Sequence, residues 1–134
     1  MSDKRDVSGV WYGSFAGPGV VPNRFIATLA ETGGRITGTT SEPDDLGEVD
    51  LLHAHVSGTR DGAAVAFIKQ YDGAAHCAHA VDYGGVIDAE GAEISGEWRF
   101  AGHAGQFVMR RERFDEQLLA EELGIALDAE IVAR

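Results

Sequence analysis

Hydrophobic and polar positions alternate along most of this chain. From Glu93 to Phe100, Ile94, Gly96, Trp98 and Phe100 share one face and Glu93, Ser95, Glu97 and Arg99 the other, the period of two that marks a half-buried strand. The same phase runs through Val65, Phe67, Lys69 and Tyr71, and through Cys77, His79, Val81 and Tyr83. It therefore sets a lysine, a histidine and two tyrosines among the inward-facing positions. Taken from the start, the pattern predicts strands over 7–16, with Gly9, Trp11, Gly13 and Phe15 in phase, and over 23–31. A Thr32-Gly33-Gly34 turn then leads into a strand carrying Ile36, Gly38 and Thr40, a hairpin signal. Residues 42–48 read as a loop, broken by proline and glycine. Further strands are predicted over 49–58, 64–71, 76–87, 93–100 and 103–112, the last with Gly105, Phe107 and Met109 in phase.

Eight short strands without an intervening helix predict an all-β meander. Eight antiparallel strands can close into an up-and-down barrel, which removes exposed edges and leaves an interior that side chains fill or that holds one small ligand. An open sandwich is the competing architecture. Glycines at 9, 13, 38, 58, 85, 96 and 105 fall on the expected inner face, as tightly coiled strands require. Residues 1–113 are thus read as one barrel domain, and 114–134 as a short C-terminal helix and tail. In that tail Asp115 can cap, Leu118, Leu119 and Leu123 recur at helical spacing, and Gly124 can terminate. The leucine stripe needs a cover, either the barrel wall or a neighbouring copy, so a homo-oligomer is one expectation.

Composition narrows the partners. The formal net charge of −11 repels phosphate backbones and anionic membranes, so neither nucleic acid nor a membrane is expected as a partner. A single cysteine excludes an internal disulfide and a CxxC knuckle. The opening MSDKRDVSG lacks the apolar core of a signal peptide, and a cytoplasmic location is the expectation.

Several short motifs resemble those of the avidin and streptavidin family. They are Gly9-Val10-Trp11-Tyr12, then Ile36-Thr37-Gly38-Thr39, then Val65-Ala66-Phe67 up to Tyr71, followed by Ile94 and Trp98. The resemblance spans 9–111 and implies a small-ligand barrel. Three positions depart from the family's biotin-binding pattern: Gly13, Thr40 and Phe67 stand where a polar residue, a tyrosine and a tryptophan are expected. The G-x-W opening is also similar to that of lipocalins and other calycin-type barrels, which implies that Trp11 packs in the closed end.

In an up-and-down meander the connections at 17–22, 42–47, 72–75 and 101–103 share one rim, and the turns at 32–34, 59–62 and 88–91 the other. Longer connections on the first rim point to it as the open mouth. Lys69, inward by phase, needs a partner, and Glu42 or Asp44 is in position to supply it. Lys69, Tyr71 and His79 are the candidate acid and base groups. Arg24, Thr40, Glu42, Asp44, Phe67, His76, Tyr83, Trp98, Phe100 and His103 complete the candidate lining, its rings suited to a planar or aromatic ligand. His76 and His103 match no zinc spacing, so no metal is assigned, and no cofactor motif occurs. His53 and His55 are expected on the outer face, and Cys77 is read as a small buried hydrophobe. Two functions fit: binding of a small aromatic or amphipathic molecule, or a cofactor-independent lyase, isomerase or cyclase using the lysine, histidine and tyrosine. A structural module with a filled interior is the third class.

Overall fold

A computed structural model describes residues 3–18, 20–43, 51–72 and 80–111. Eight strands follow one another in these residues: β1 (Gly9–Gly17), β2 (Val20–Thr32), β3 (Arg35–Pro43), β4 (Leu51–Asp61), β5 (Ala64–Tyr71), β6 (Ala80–Ile87), β7 (Glu93–Phe100) and β8 (His103–Arg110). Each pairs antiparallel with the next, and β8 returns to β1, so the sheet closes into a barrel. The closing ladder runs from Tyr12 against Arg110 to Ala16 against Gln106 and is the shortest of the eight.

Period-two patterning decides which residues lie inside. On β5 the burial alternates without a break, with Val65, Phe67, Lys69 and Tyr71 in and Ala64, Ala66, Ile68 and Gln70 out. The sequence places β5 and β7 at the observed bounds. Other boundaries differ. The first strand begins at Gly9 rather than at residue 7, because the amide of the buried Val7 donates to the Glu31 side chain at 3.0 Å and the ladder with β2 starts at Gly9. Gly9 itself is exposed, with a φ of 137°, and does not face inward. The second strand begins at Val20, three residues early, because the ladder with β1 continues to the pair Gly17 and Val20. The fourth extends to Asp61. The predicted helix over 114–134 lies outside the described residues.

One end of the barrel is plugged by the chain's own N-terminal segment. Trp11, fully buried, donates its indole N–H to the Val7 carbonyl at 2.8 Å, as expected for a closed-end tryptophan. The Arg111 guanidinium lies 4.4 Å from the Trp11 ring. It donates to the carbonyls of Ser8, Asp6, Lys4 and Gly91. Around Trp11 the core is aliphatic, built from Val7, Leu29, Ile36, Ile87, Ile94 and Met109.

Higher up, small inward residues on one wall face large ones on the other. Ala27, Thr40 and Ala54 form one cross-strand row on β2, β3 and β4, while Phe67, Tyr83 and Phe107 project from β5, β6 and β8. Phe67 and Tyr83 stack with centroids 4.9 Å apart, and Phe107 meets both edge-on. At two positions this packing requires glycine. A Cβ on Gly13 would lie 2.3 Å from the Phe25 ring, and one on Gly105 would lie 2.6 Å from the Trp98 indole.

Candidate functional site

Above the aromatic layer the interior becomes polar. Glu42, the inward residue next to the end of β3, and Lys69, on β5, are 3% and 1% exposed. The Lys69 ammonium donates to Glu42 Oε1 at 2.8 Å, and the Tyr71 hydroxyl donates to the same oxygen, also at 2.8 Å. Asn23, on β2, donates its amide N–H to Glu42 Oε2 at 3.3 Å and to the Pro43 carbonyl at 3.2 Å. Three strands, β2, β3 and β5, carry this arrangement: the alternation that buries Phe67 and Ile36 also turns Lys69 and Glu42 inward, whatever their charge.

The ammonium is also enclosed by rings. Lys69 Nζ lies 4.7 Å from the centroid of Phe15, 4.9 Å from Tyr71 and 5.2 Å from both Phe25 and Tyr83. Ring faces attract a cation most strongly where water is excluded, so the cage offsets part of the cost of burying the charge. Burial, and secondarily the Glu42 carboxylate, push the Tyr83 phenol far above the ordinary tyrosine value. Tyr83 is therefore a neutral hydroxyl at any ordinary pH. Thr40, two residues before Glu42 on the same inner face, is 2% exposed, and its Oγ1 has no hydrogen-bond partner among the described residues.

Of the residues singled out from the sequence, Thr40, Glu42, Phe67, Lys69, Tyr71 and Tyr83 are all inside, with Glu42 as the partner of Lys69. Trp98 is buried too, but its N–H is bound to the Ala16 carbonyl at 3.0 Å, so it ties β7 to the end of β1. Phe100 is half-buried, packed against the core at the rim. Arg24 is exposed on the outer face, opposite Ser14, and His103 is exposed at the start of β8. Neither meets the polar cluster, because each falls on the outward side of the pleat or at its end. Asp44, His76, Cys77 and His79 lie outside the described residues. His53 and His55 are exposed, as expected, and His53 Nδ1 pairs with Ser41 Oγ at 3.1 Å.

Sequence reasoning sets Asn23 among the polar residues on or near the mouth without giving it a role, and it does not assign two further participants, Phe15 and Phe25. All three sit on β1 and β2: Asn23 meets Glu42 on the neighbouring β3, and closure brings Phe15 and Phe25 across the interior to Lys69 on β5. The signal for the two phenylalanines was their phase with Trp11 and Ala27. The expected contrast between the two rims also needs correction. The β1–β2 and β7–β8 connections are each two residues long, with Ala101 and Gly102 both at positive φ in the latter. Only the β3–β4 and β5–β6 connections at this rim are long.

No protein-family model matches the chain, and no curated protein matches it. Among solved structures it is similar to a de novo designed fluorescence-activating β-barrel, with a TM-score of 0.61 and 14% identity over 84% of this chain and all of that one. It is also similar to a redesigned β-barrel, with a TM-score of 0.68 and 6% identity over 83% of this chain and 96% of the other. At these identities the likeness shows the fold.

Proposed function

We propose that this protein binds a small, planar aromatic molecule bearing a hydrogen-bonding group at the mouth of the barrel. One observation carries the reading: a buried cluster of Glu42, Lys69, Tyr71 and the unpartnered Thr40 hydroxyl sits directly above a layer of stacked rings. A barrel that needed only a filled core would complete that layer with aliphatic side chains, because burying an ion pair adds little net stability. The fold's designed neighbour, described as fluorescence-activating, lends support to a ligand role for such an interior.

In this reading the ligand's ring stacks on the aromatic layer. Its polar group meets Glu42 Oε2, which carries one longer bond, and Thr40 Oγ1. Titration of the protein with 4-hydroxybenzyl alcohol, followed by calorimetry, is expected to give saturable one-to-one binding. Thr40→Val is expected to weaken it by about three- to tenfold while leaving the fold intact. Equal affinity in the variant and the parent would overturn the placement. A second reading is favoured by two proton donors sharing one carboxylate oxygen: proton transfer on a bound substrate, without a cofactor, by Lys69, Tyr71 and Glu42. It predicts that Lys69→Met abolishes turnover while ligand affinity is nearly kept.

A further inference from the structure

The chain has two lysines, Lys4 and Lys69. Its remaining basic side chains, histidine aside, are arginines. Lys4 lies on the surface, 63% exposed in its side chain, whereas Lys69 is the one cation placed inside the barrel among the described residues. An arginine there would supply a fixed charge and a wider fork of donors. A lysine supplies a primary amine, which can lose its proton and become a nucleophile.

We infer that Lys69 captures aldehydes covalently, as a protonated imine held inside the barrel. Three features of the cluster match the three demands of that reaction. The amine must first be neutral, and Glu42 Oε1, at 2.8 Å, is in place to accept the proton. The Nζ lone pair then attacks the aldehyde carbon, forming a C–N bond, and the carbonyl oxygen takes up a proton to become a carbinolamine hydroxyl. That hydroxyl must leave as water, with a proton supplied by Glu42 or by Tyr71, whose hydroxyl is bound to the same carboxylate oxygen at 2.8 Å. The sum converts one ammonium and one aldehyde into one iminium and one water, with no other reactant. The iminium keeps the positive charge of the ammonium it replaces, so Glu42 remains its counter-ion. The rings of Phe15, Phe25, Tyr71 and Tyr83, which surround the ammonium at 4.7 to 5.2 Å, surround the new cation in turn. Lys69 lies two residues from the last residue of β5, about 7 Å along the strand. The aldehyde class that fits is aromatic, stacking as proposed above for the neutral ligand, and the inference rests on that reading of the site.

The test uses the full chain, 4-hydroxybenzaldehyde and sodium cyanoborohydride, which reduces an imine to a stable secondary amine. Intact mass gives the number of adducts, and peptide mapping distinguishes Lys69 from Lys4 and the terminal amine. The expected result is a saturable single adduct on Lys69, formed about a hundredfold faster than that on Lys4, with Glu42→Gln cutting the Lys69 rate by a similar factor and leaving Lys4 unchanged. Because Glu42→Gln disturbs a buried pair, Tyr71→Phe serves as the second variant. It is expected to slow Lys69 labelling about tenfold with unaltered circular dichroism. Labelling of Lys4 and the terminal amine with Lys69 unmodified overturns the inference. If 4-hydroxybenzyl alcohol, which has no carbonyl, still binds saturably, the loss is confined to the covalent step. If neither probe engages the barrel, both readings fall.

Discussion

Lys69 and Glu42 together illustrate how a buried charge depends on its partner. Lys69→Met leaves the Glu42 carboxylate buried without the ammonium it is paired with, and is expected to cost about 3 to 5 kcal/mol of stability. The double variant Glu42→Leu with Lys69→Met, which removes both charges, is expected to recover most of that loss in urea unfolding at neutral pH. A double variant as unstable as the single one would mean that the pair is worth more than its desolvation. Tyr83 gives a second test at the alkaline end. Its phenol is held neutral by burial and by Glu42, so above the ordinary tyrosine value of about 10 the unfolded chain loses this proton while the folded one keeps it. The folded state then binds more protons, and stability falls as pH rises, by up to about 1.4 kcal/mol per unit. Tyr83→Phe is expected to flatten the decline of melting temperature over about pH 10 to 11.5; an unchanged slope would refute the assignment. At this scale the site was half legible. Lys69 sits between Phe67 and Tyr71, so its phase could be read along one strand, and charge left Glu42 and Asp44 as its two candidate partners. Asn23 reaches the cluster from the strand next to that of Glu42, whereas Phe15 and Phe25 reach it across the interior, and no pattern within one strand encodes which opposite residues closure will bring near.

At the scale of the strand, legibility followed the clarity of the alternation. The strands β5 and β7 carry unbroken two-residue phases and were readable to the residue. The ends of β1 and β2 were not, because glycine and proline there mark a tight turn as readily as a loop. Glycine within strands has its own meaning here. Gly13 is buried because the Phe25 ring occupies the space where a side chain would stand. Gly13→Ala is expected to displace Phe25, and with it one wall of the Lys69 cage, at a cost of about 1 to 3 kcal/mol. Gly84→Ala is the matched control, since a Cβ there meets nothing within 4 Å. Urea midpoints compare the two. An equal, small loss at both sites would mean that Phe25 repacks freely.

For the whole molecule, the two ends of the barrel are built on opposite principles. The end around Trp11 is aliphatic and closed by backbone carbonyls gathered on Arg111. The other end holds the charged cluster. Seven of the eight ladders join strands that are neighbours in the chain, each completed by a hairpin. The eighth, from Tyr12–Arg110 to Ala16–Gln106, joins residues roughly a hundred apart and is the shortest. Such a ladder is a zip fastener with its tab at the mouth, since Arg111 clamps the other end. Opening it alone would unroll the cylinder into a curved sheet with two free edges, β1 and β8, each able to accept a strand from another copy. Backbone amides of β1 and β8 are accordingly expected to exchange with deuterium before those of β3 and β4, in a sub-global opening that costs less than complete unfolding. At high concentration and mild denaturant, strand-exchanged dimers are expected to form through those same two edges.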